Sequence, residues 1–363
     1  MDNIKNYKCP ACSSTLIFNT ETQNLFCESC QNEYTLDSIT EIENAEKEEG
    51  KESYDWSSYT PRSFPESESG ALSSYSCPSC SAEITGDASL GATVCPYCGN
   101  ATIIKKQFEG SLMPDYIIPF RVNKKEAMEC FENAAAKAPF LPDEFKSKKK
   151  IEEMSGIYLP YWMFDASCDA HFTYSGRRVK CWSDANYNYT KTDYYRLIRG
   201  GGISFSGIPV DGSEKTDNTY TEALEPYNYN DAVEFNTAYL SGYLADKYDV
   251  SPEDGSIRAN ERIKNSTEKK FLETTSTYSC VTQTGGSVNL YDTKTRYALL
   301  PCWMLNIKYE GANYKYAING QTGKVVGEYP VCKKKRNRFI LKCYAISLLV
   351  TSALTLLGAY FMM

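Results

Sequence analysis

The sequence predicts an α+β protein. It should hold two small four-cysteine zinc ribbons, a β-rich domain with two or three helices, and one C-terminal transmembrane helix. Three observations carry that expectation. A pair of CxxC motifs occurs twice with one internal gap. Tyrosine is overused, at 29 of 363 residues, which suits β-structure. The last 21 residues carry no charge.

The cysteines come first. Cys9-Pro10-Ala11-Cys12 is followed after fourteen residues by Cys27-Glu28-Ser29-Cys30. Cys77-Pro78-Ser79-Cys80 is followed after fourteen residues by Cys95-Pro96-Tyr97-Cys98. A CxxC loop points two thiolates at one ion, and a hairpin of that length brings round the second loop to complete a tetrahedron. The expected metal ligands are therefore Cys9, Cys12, Cys27 and Cys30 in one ribbon, and Cys77, Cys80, Cys95 and Cys98 in the other. Each set holds one zinc ion. A disulfide framework or a redox CxxC fits less well. Met1 to Asn6 contains no apolar segment of a secretory signal, and a thioredoxin-type CxxC comes singly near a βαβ pattern.

The C-terminus predicts a membrane anchor. Residues 343–363 would make a helix about 30 Å long, enough to cross a bilayer. Lys333-Lys334-Lys335-Arg336-Asn337-Arg338 and Lys342 precede it, and nothing charged follows. The positive-inside bias then keeps residues 1–342 in the cytoplasm, giving a tail-anchored, single-pass protein of the cell membrane. A buried core helix is the alternative, but such a helix is rarely apolar on every side. A reducing compartment in turn favours zinc thiolates over disulfides. The other seven cysteines, Cys130, Cys168, Cys181, Cys280, Cys302, Cys332 and Cys343, follow no ligand spacing. Most read as small apolar fillers, with Cys332 and Cys343 placed where acylation is possible.

The segments follow in order: ribbon one over 1–40, an acidic Ser-rich linker over 41–75, ribbon two over 76–106, the β-rich domain over 107–332, a basic juxtamembrane segment over 333–342, and the helix over 343–363. The linker is too polar to order itself. Its aromatic island Tyr54-Asp55-Trp56 is expected to pack loosely on a ribbon, with docking to a partner as the other reading. In the β-rich domain, Asn123 and Glu126 form a capping box for a helix to about Lys137, with Met128, Phe131 and Ala135 on one face. Ser251 and Pro252 open a second helix, with Ile257, Ile263, Phe271 and Leu272 offered to a core. Turns are expected at Ser175-Gly176, Gly200-Gly201-Gly202 and Asp211-Gly212.

A weaker repeat lies in the same region. Gly156-Ile157-Tyr158-Leu159-Pro160-Tyr161-Trp162-Met163-Phe164-Asp165 matches Tyr297-Ala298-Leu299-Leu300-Pro301-Cys302-Trp303-Met304-Leu305-Asn306. Each leads into a second strand, Ala170 to Tyr174 and Tyr314 to Ile318. Two related β-units in one domain are expected, with the proline at a bulge or edge. Asn319-Gly320-Gln321-Thr322-Gly323-Lys324-Val325 resembles the closing hairpin of PepSY-type modules.

Little suggests catalysis, and no enzyme is expected. The one histidine, His171, alternates with Phe172 and Tyr174 and reads as a packed side chain, although Asp165 and Asp169 lie near it in sequence. Arg199-Gly200-Gly201-Gly202 lacks the setting and lysine of a P-loop. Both ribbons are net negative once each tetrathiolate–zinc cluster adds about −2. The only counter-charges are Lys5 and Lys8 in the first, and Lys105 and Lys106 in the second. Neither ribbon offers the basic face that phosphate binding needs. Lys146-Ser147-Lys148-Lys149-Lys150 reads as a solvated loop, or as a contact for anionic lipid headgroups.

The chain resembles a bacterial family of TFIIB-type zinc ribbon-containing proteins. The resemblance rests on Cys77 to Cys80 with Cys95 to Asn100, Pro114 to Phe120, Gly156 to Asp165, Tyr194 to Gly201, Pro209 to Ser213, Ala238 to Val250 and Asn319 to Lys324. It implies a membrane-bound adaptor in a phage-shock-type envelope-stress system, beside flotillin-like (SPFH) and phage-shock-protein-A-like partners. The leading expectation is thus a cytoplasm-facing scaffold that docks protein partners at the membrane. A membrane-tethered nucleic-acid-binding ribbon protein is the second reading, and an enzyme within the β-rich domain is the third.

Overall fold

A computed structural model of the chain describes all residues except 1–6, 13, 49–51, 66–71, 88–93, 101–103, 108–111, 216–217 and 362–363. Lys5 thus lies outside the described residues, as do parts of the linker and of the second ribbon. The architecture is mixed α+β, with six α-helices and a large sheet among the described residues. In chain order the elements begin with β1 (Ile17–Asn19), β2 (Asn24–Phe26), β3 (Glu33–Tyr34) and α1 (Leu36–Glu48). Next come β4 (Leu72–Ser76), β5 (Glu83–Asp87), β6 (Ile104–Gln107), β7 (Tyr116–Ile117), α2 (Lys124–Lys137) and α3 (Lys148–Ile151). Two long strands follow, β8 (Ser155–Ser183) and β9 (Asn188–Asp211), then α4 (Asn218–Leu224), β10 (Val233–Glu234), β11 (Leu244–Asp246) and α5 (Pro252–Glu273). The chain continues through β12 (Ser279–Tyr309), β13 (Ala312–Asn319) and β14 (Val325–Gly327) to α6 (Lys333–Phe361).

Two compact units divide these elements. The first comprises Met1–Tyr59, Met163–Val210 and Glu253–Thr295. Its small sheet runs β1-β2-β3, all antiparallel, around a core of Leu16, Leu25 and Ile39. Its larger core sets Cys168, Phe172 and Tyr174 of β8 against Ile263 and Phe271 of α5 and Val288 of β12. On α5 the buried positions Ala259, Ile263, Thr267 and Phe271 recur every four residues, one helical stripe. Ile257 and Leu272, expected in the core, lie off that stripe and are exposed.

The segment from Glu52 to Tyr59 docks along this unit. Ser53 bridges Asn289, the Leu290 amide donates to the Ser53 carbonyl at 2.9 Å, and Lys264 pairs with Glu52 at 2.8 Å. Trp56 donates through Nε1 to Asn260 at 2.8 Å and meets Phe164 edge-on at 4.8 Å. The aromatic island therefore packs on β12 and α5 rather than on a ribbon. The supposed linker also carries the last eight residues of α1. Polarity argued against self-ordering, but a preformed strand edge supplies the missing hydrogen bonds.

The second unit comprises Thr60–Trp162, Asp211–Pro252 and Arg296–Met363. Strands pair there in the order β10-β7-β12-β8-β11-β5-β4-β6, with β13 beside β12 and β14 beside β13. The expected capping box is present: the Asn123 side chain accepts from the Glu126 amide, and the Glu126 side chain accepts from the Asn123 amide. Phe131 and Ala135 of α2 are buried with Phe145, Ile151, Leu305 and Tyr316, while Met128 is only half-buried.

The internal repeat is real and has two-fold logic. β7 runs parallel to β12 with Ala298 opposite Tyr116, and β11 runs parallel to β8 with Ile157 opposite Leu244. Five residues beyond each partner, Trp303 donates to the Val122 carbonyl at 2.8 Å and Trp162 to the Val250 carbonyl at 2.9 Å. Each valine immediately precedes the residue that opens a helix, Asn123 before α2 and Ser251 before α5. The Gly212 amide donates to Pro160 and the Gly320 amide to Pro301, both at 2.9 Å. The two prolines sit inside paired strands with their carbonyls taken by these glycines.

Two turn expectations fail. Ser175-Gly176 lies within β8, and Gly200-Gly201-Gly202 within β9, because pairing along the β8–β9 hairpin overrides local turn propensity. Glycine is needed there for space: a Cβ on Gly176 would lie 3.2 Å from Leu197, and one on Gly200 3.2 Å from His171. Asp211-Gly212 does end β9. The expectation of separate strands at Gly156–Asp165 and Ala170–Tyr174 also gives way to one continuous β8.

Candidate metal centres

Three of the four CxxC knuckles turn back on themselves in one way. The Gln31 amide donates to the Cys27 carbonyl, Ser81 to Cys77 and Gly99 to Cys95, at 2.8–2.9 Å. The donor residue sits at positive φ each time, 60° at Gln31, 57° at Ser81 and 69° at Gly99. Only glycine adopts that region freely, so Gln31 and Ser81 hold a conformation that costs about 1–2 kcal/mol. The turn directs both thiols of a knuckle to the same side.

The result is two four-cysteine groups, Cys9/Cys12/Cys27/Cys30 and Cys77/Cys80/Cys95/Cys98, each with its sulfur atoms within 4.8 Å of one another. Each group can hold a metal ion. Cys9 lies 3.5 Å from Cys30 and Cys12 3.4 Å from Cys27. The second group repeats the pairing, with Cys77 3.6 Å from Cys98 and Cys80 3.7 Å from Cys95. A tetrahedral zinc–thiolate site with bonds of about 2.3 Å requires sulfur–sulfur edges of about 3.8 Å. A disulfide requires about 2.0 Å. The spacing suits a shared cation, and all eight are free cysteines.

Electrostatics point the same way. Hydrogen bonds from the Ser14 hydroxyl and amide pull the exposed Cys12 thiol down to about 6, whereas burial pushes Cys30 up to about 12. In the second group Cys77 falls to about 7: backbone hydrogen bonds from Cys80 and Ser79 outweigh the desolvation that opposes them. Burial raises both Cys80 and Cys95. Four clustered thiols cannot all ionise by themselves, because each thiolate raises its neighbours. A bound cation removes that conflict.

The surroundings of the two centres differ. In the first, the Tyr34 hydroxyl lies 3.6 Å from Cys9 Sγ and 3.4 Å from the Asn32 amide nitrogen. In the second, the neighbouring strands β4, β5 and β6 belong to the large sheet. β5 pairs antiparallel with β11, setting Gly86 opposite Leu244 and Ile84 opposite Asp246.

Over 332 residues the chain is 33% identical to the "Uncharacterized protein YdjG" of Bacillus subtilis (strain 168), an alignment covering 92% of each protein. The chain belongs to the YdjG family. No family model matches it, and no solved structure does.

In this YdjG-family chain the second centre is tied further into its unit through its knuckle. Tyr97, between Cys95 and Cys98, donates its hydroxyl to Asp246 Oδ2. Asn306 donates through Nδ2 to the Pro96 carbonyl. Asp246 also accepts from Ser213 at 2.7 Å. Burial lifts its carboxyl to about 6 in spite of those two bonds and the nearby Lys215. Tyr97 and Asp246 escaped the sequence reading. A tyrosine inside a CxxC was a visible signal, but nothing in the sequence placed Asp246 beside it.

Other expected residues fall apart from these centres. His171 Nε2 is buried without a hydrogen-bond partner, and Asp165 is engaged by the Gly207 amide at 2.7 Å and the Ser206 hydroxyl at 3.2 Å. Of the seven remaining cysteines, Cys168 and Cys302 are buried fillers, while Cys181, Cys280 and Cys343 are exposed. Cys181 and Cys280 are therefore not core fillers, and the exposed Cys343 stands where acylation was considered.

Proposed function

We propose that this YdjG-family chain is a membrane-anchored zinc-ribbon adaptor that docks protein partners at the cytoplasmic face of the cell membrane. One observation carries the reading. The apolar stretch of α6 has a window long enough to span a bilayer, and none of that window is buried within the protein. Leu341 and Leu349 are 68% and 70% exposed. Leaving such a side chain in water forfeits about 2 kcal/mol, so a helix of them calls for a hydrocarbon solvent. Six cations at its start favour a cytoplasmic bulk.

Zinc is the ion proposed for both centres, on the tetrathiolate donor set and its edge lengths. The residues fit it: Cys9, Cys12, Cys27 and Cys30 would hold one ion, and Cys77, Cys80, Cys95 and Cys98 the other. Bound there, zinc would supply a structural crosslink with no open coordination position. The acidic ribbons favour protein partners over phosphate backbones. By resemblance to the TFIIB-type zinc ribbon family, those partners are SPFH-like and phage-shock-protein-A-like membrane-stress proteins.

Purification of the tagged full chain from detergent-solubilised membranes tests the proposal. Co-elution of a membrane-stress protein supports it. Recovery in the soluble fraction after a carbonate wash would sink the anchor, and co-elution of nucleic acid alone would sink the adaptor.

One observation favours the second reading, nucleic-acid binding. At the tip of the β8–β9 hairpin, Trp182 stacks on Tyr189 at 5.5 Å and 12°, both exposed, with Arg177, Arg178, Lys180 and Lys191 nearby in sequence. Exposed rings among cations suit unpaired bases. Loss of co-purifying nucleic acid from a Trp182→Ala, Tyr189→Ala variant would assign it to that tip.

A further inference from the structure

We propose that the loop and short helix from Phe140 to Lys150 form a second membrane contact, which binds anionic phospholipid headgroups beside the root of α6. The inference rests on α6 spanning the bilayer.

The root of α6 is held to this loop by four contacts. The Cys332 amide donates to the Phe140 carbonyl at 2.9 Å. Lys335 Nζ donates to the Leu141 carbonyl at 2.8 Å and pairs with Asp143 at 2.6 Å. The Phe140 and Phe339 rings lie 5.3 Å apart. Phe140 is held at a φ of 54°, a left-handed conformation that a bulky residue rarely adopts.

These contacts fix the height of the loop. Phe339 precedes Cys343, the first residue of the uncharged stretch, by four residues, or about 6 Å along a helix. The headgroup layer on one side of a bilayer is about 6 Å thick. Phe140 therefore stands at the depth of the headgroups when α6 is inserted.

The charge at that depth is strongly positive. Lys146 follows Asp143 within one 3-10 turn, at most about 6 Å further along the chain. Lys148, Lys149 and Lys150 make up the next short helix with Ile151. Lys146, Lys148 and Lys149 are exposed, and Lys150 is half-buried against the Lys308 carbonyl. With Lys333, Lys334, Lys335, Arg336, Arg338 and Lys342, the two segments place ten cations against only Asp143 and Glu144, in a chain whose net charge is −7. Glu152 and Glu153 follow the lysines. Lys335 already neutralises Asp143, so the lysines after it remain available to lipid phosphates. An anionic leaflet attracts such a cluster within a Debye length of about 8 Å, and this loop stands within that reach.

Hydrogen exchange of the full chain in nanodiscs tests the contact, comparing phosphatidylcholine alone with phosphatidylcholine plus phosphatidylglycerol. The amides of 144–151 are expected to exchange at least about five-fold more slowly in the anionic discs. Raised salt should abolish the difference. A Lys148→Ser, Lys149→Ser, Lys150→Ser variant should lose it, and the corresponding triple arginine variant should keep it. Equal exchange in the two discs, with the chain inserted in both, overturns the headgroup contact alone. Failure of the chain to enter either disc overturns the membrane anchor together with it.

Discussion

Tyr97 donates its hydroxyl to Oδ2 of the buried Asp246, joining the tip of a metal knuckle to strand β11. One hydrogen bond thus couples the second four-cysteine centre to the sheet that carries it. Ser213 supplies the other side-chain bond to the same oxygen. A Tyr97→Phe change removes the donor and leaves the carboxylate short of a partner. It should lower stability by about 2 kcal/mol while leaving both cysteine pairs intact. Thermal unfolding beside a colorimetric zinc assay checks this: the melting temperature should fall with two ions still bound per chain.

The pH dependence of Asp246 has a definite sign. Its carboxyl is raised to about 6 in the folded state, chiefly by burial. The folded protein therefore binds more protons than the unfolded chain between about pH 4 and 6. Its contribution to stability is greatest below that window and declines as pH rises through it. Above about pH 6 the ionised group costs about 3 kcal/mol. The melting-temperature difference between the native chain and an Asp246→Asn variant isolates this term, since acid release of metal affects both. The native chain should gain on the variant as pH falls from 7 to 5. A constant difference would contradict the assignment.

Metal removal should act unequally on the two ribbons. The first has a separate three-stranded sheet and a core of a few residues around Leu16, Leu25 and Ile39. So small a core does not hold without its crosslink. The second has β4 and β5 paired into the large sheet. Chelation should therefore release the amides of 16–34 to fast exchange while those of β5 and β11 stay protected. Cys27→Ser and Cys95→Ser should each reduce bound zinc from two ions to one. Hydrogen exchange and metal analysis provide the readouts.

The two tryptophans of the repeat should behave as a matched pair. Trp162→Phe and Trp303→Phe each remove an indole bond to the carbonyl that leads into a helix. Each should cost about 1–3 kcal/mol in lost bonding and packing. Denaturant unfolding of the two variants should give losses of similar size, and a silent variant would break the equivalence.

Much of this was legible in the sequence because the deciding interactions are local. The CxxC spacing gathers each ligand set through turns of a few residues, and the capping box at Asn123 and Glu126 closes within one turn. The uncharged C-terminal stretch is visible by composition alone. The repeat was visible because Pro160/Pro301 and Trp162/Trp303 occur at equal spacing.

What the sequence left undecided depends on residues far apart in the chain. The docking of Trp56 on Asn260 joins positions 204 residues apart, and that of Tyr97 on Asp246 joins positions 149 apart. No periodicity reports such a contact. Glycines that read as turns at 176 and 200 lie inside long strands, because pairing of β8 with β9 overrides turn propensity, and a neighbouring side chain takes the space of their Cβ. By itself, then, the sequence determined the two four-cysteine sets, the duplicated half and the apolar tail. Tertiary structure decided which ribbon is built into the sheet and which loop stands at the root of the tail, because long-range pairing, not local propensity, sets both.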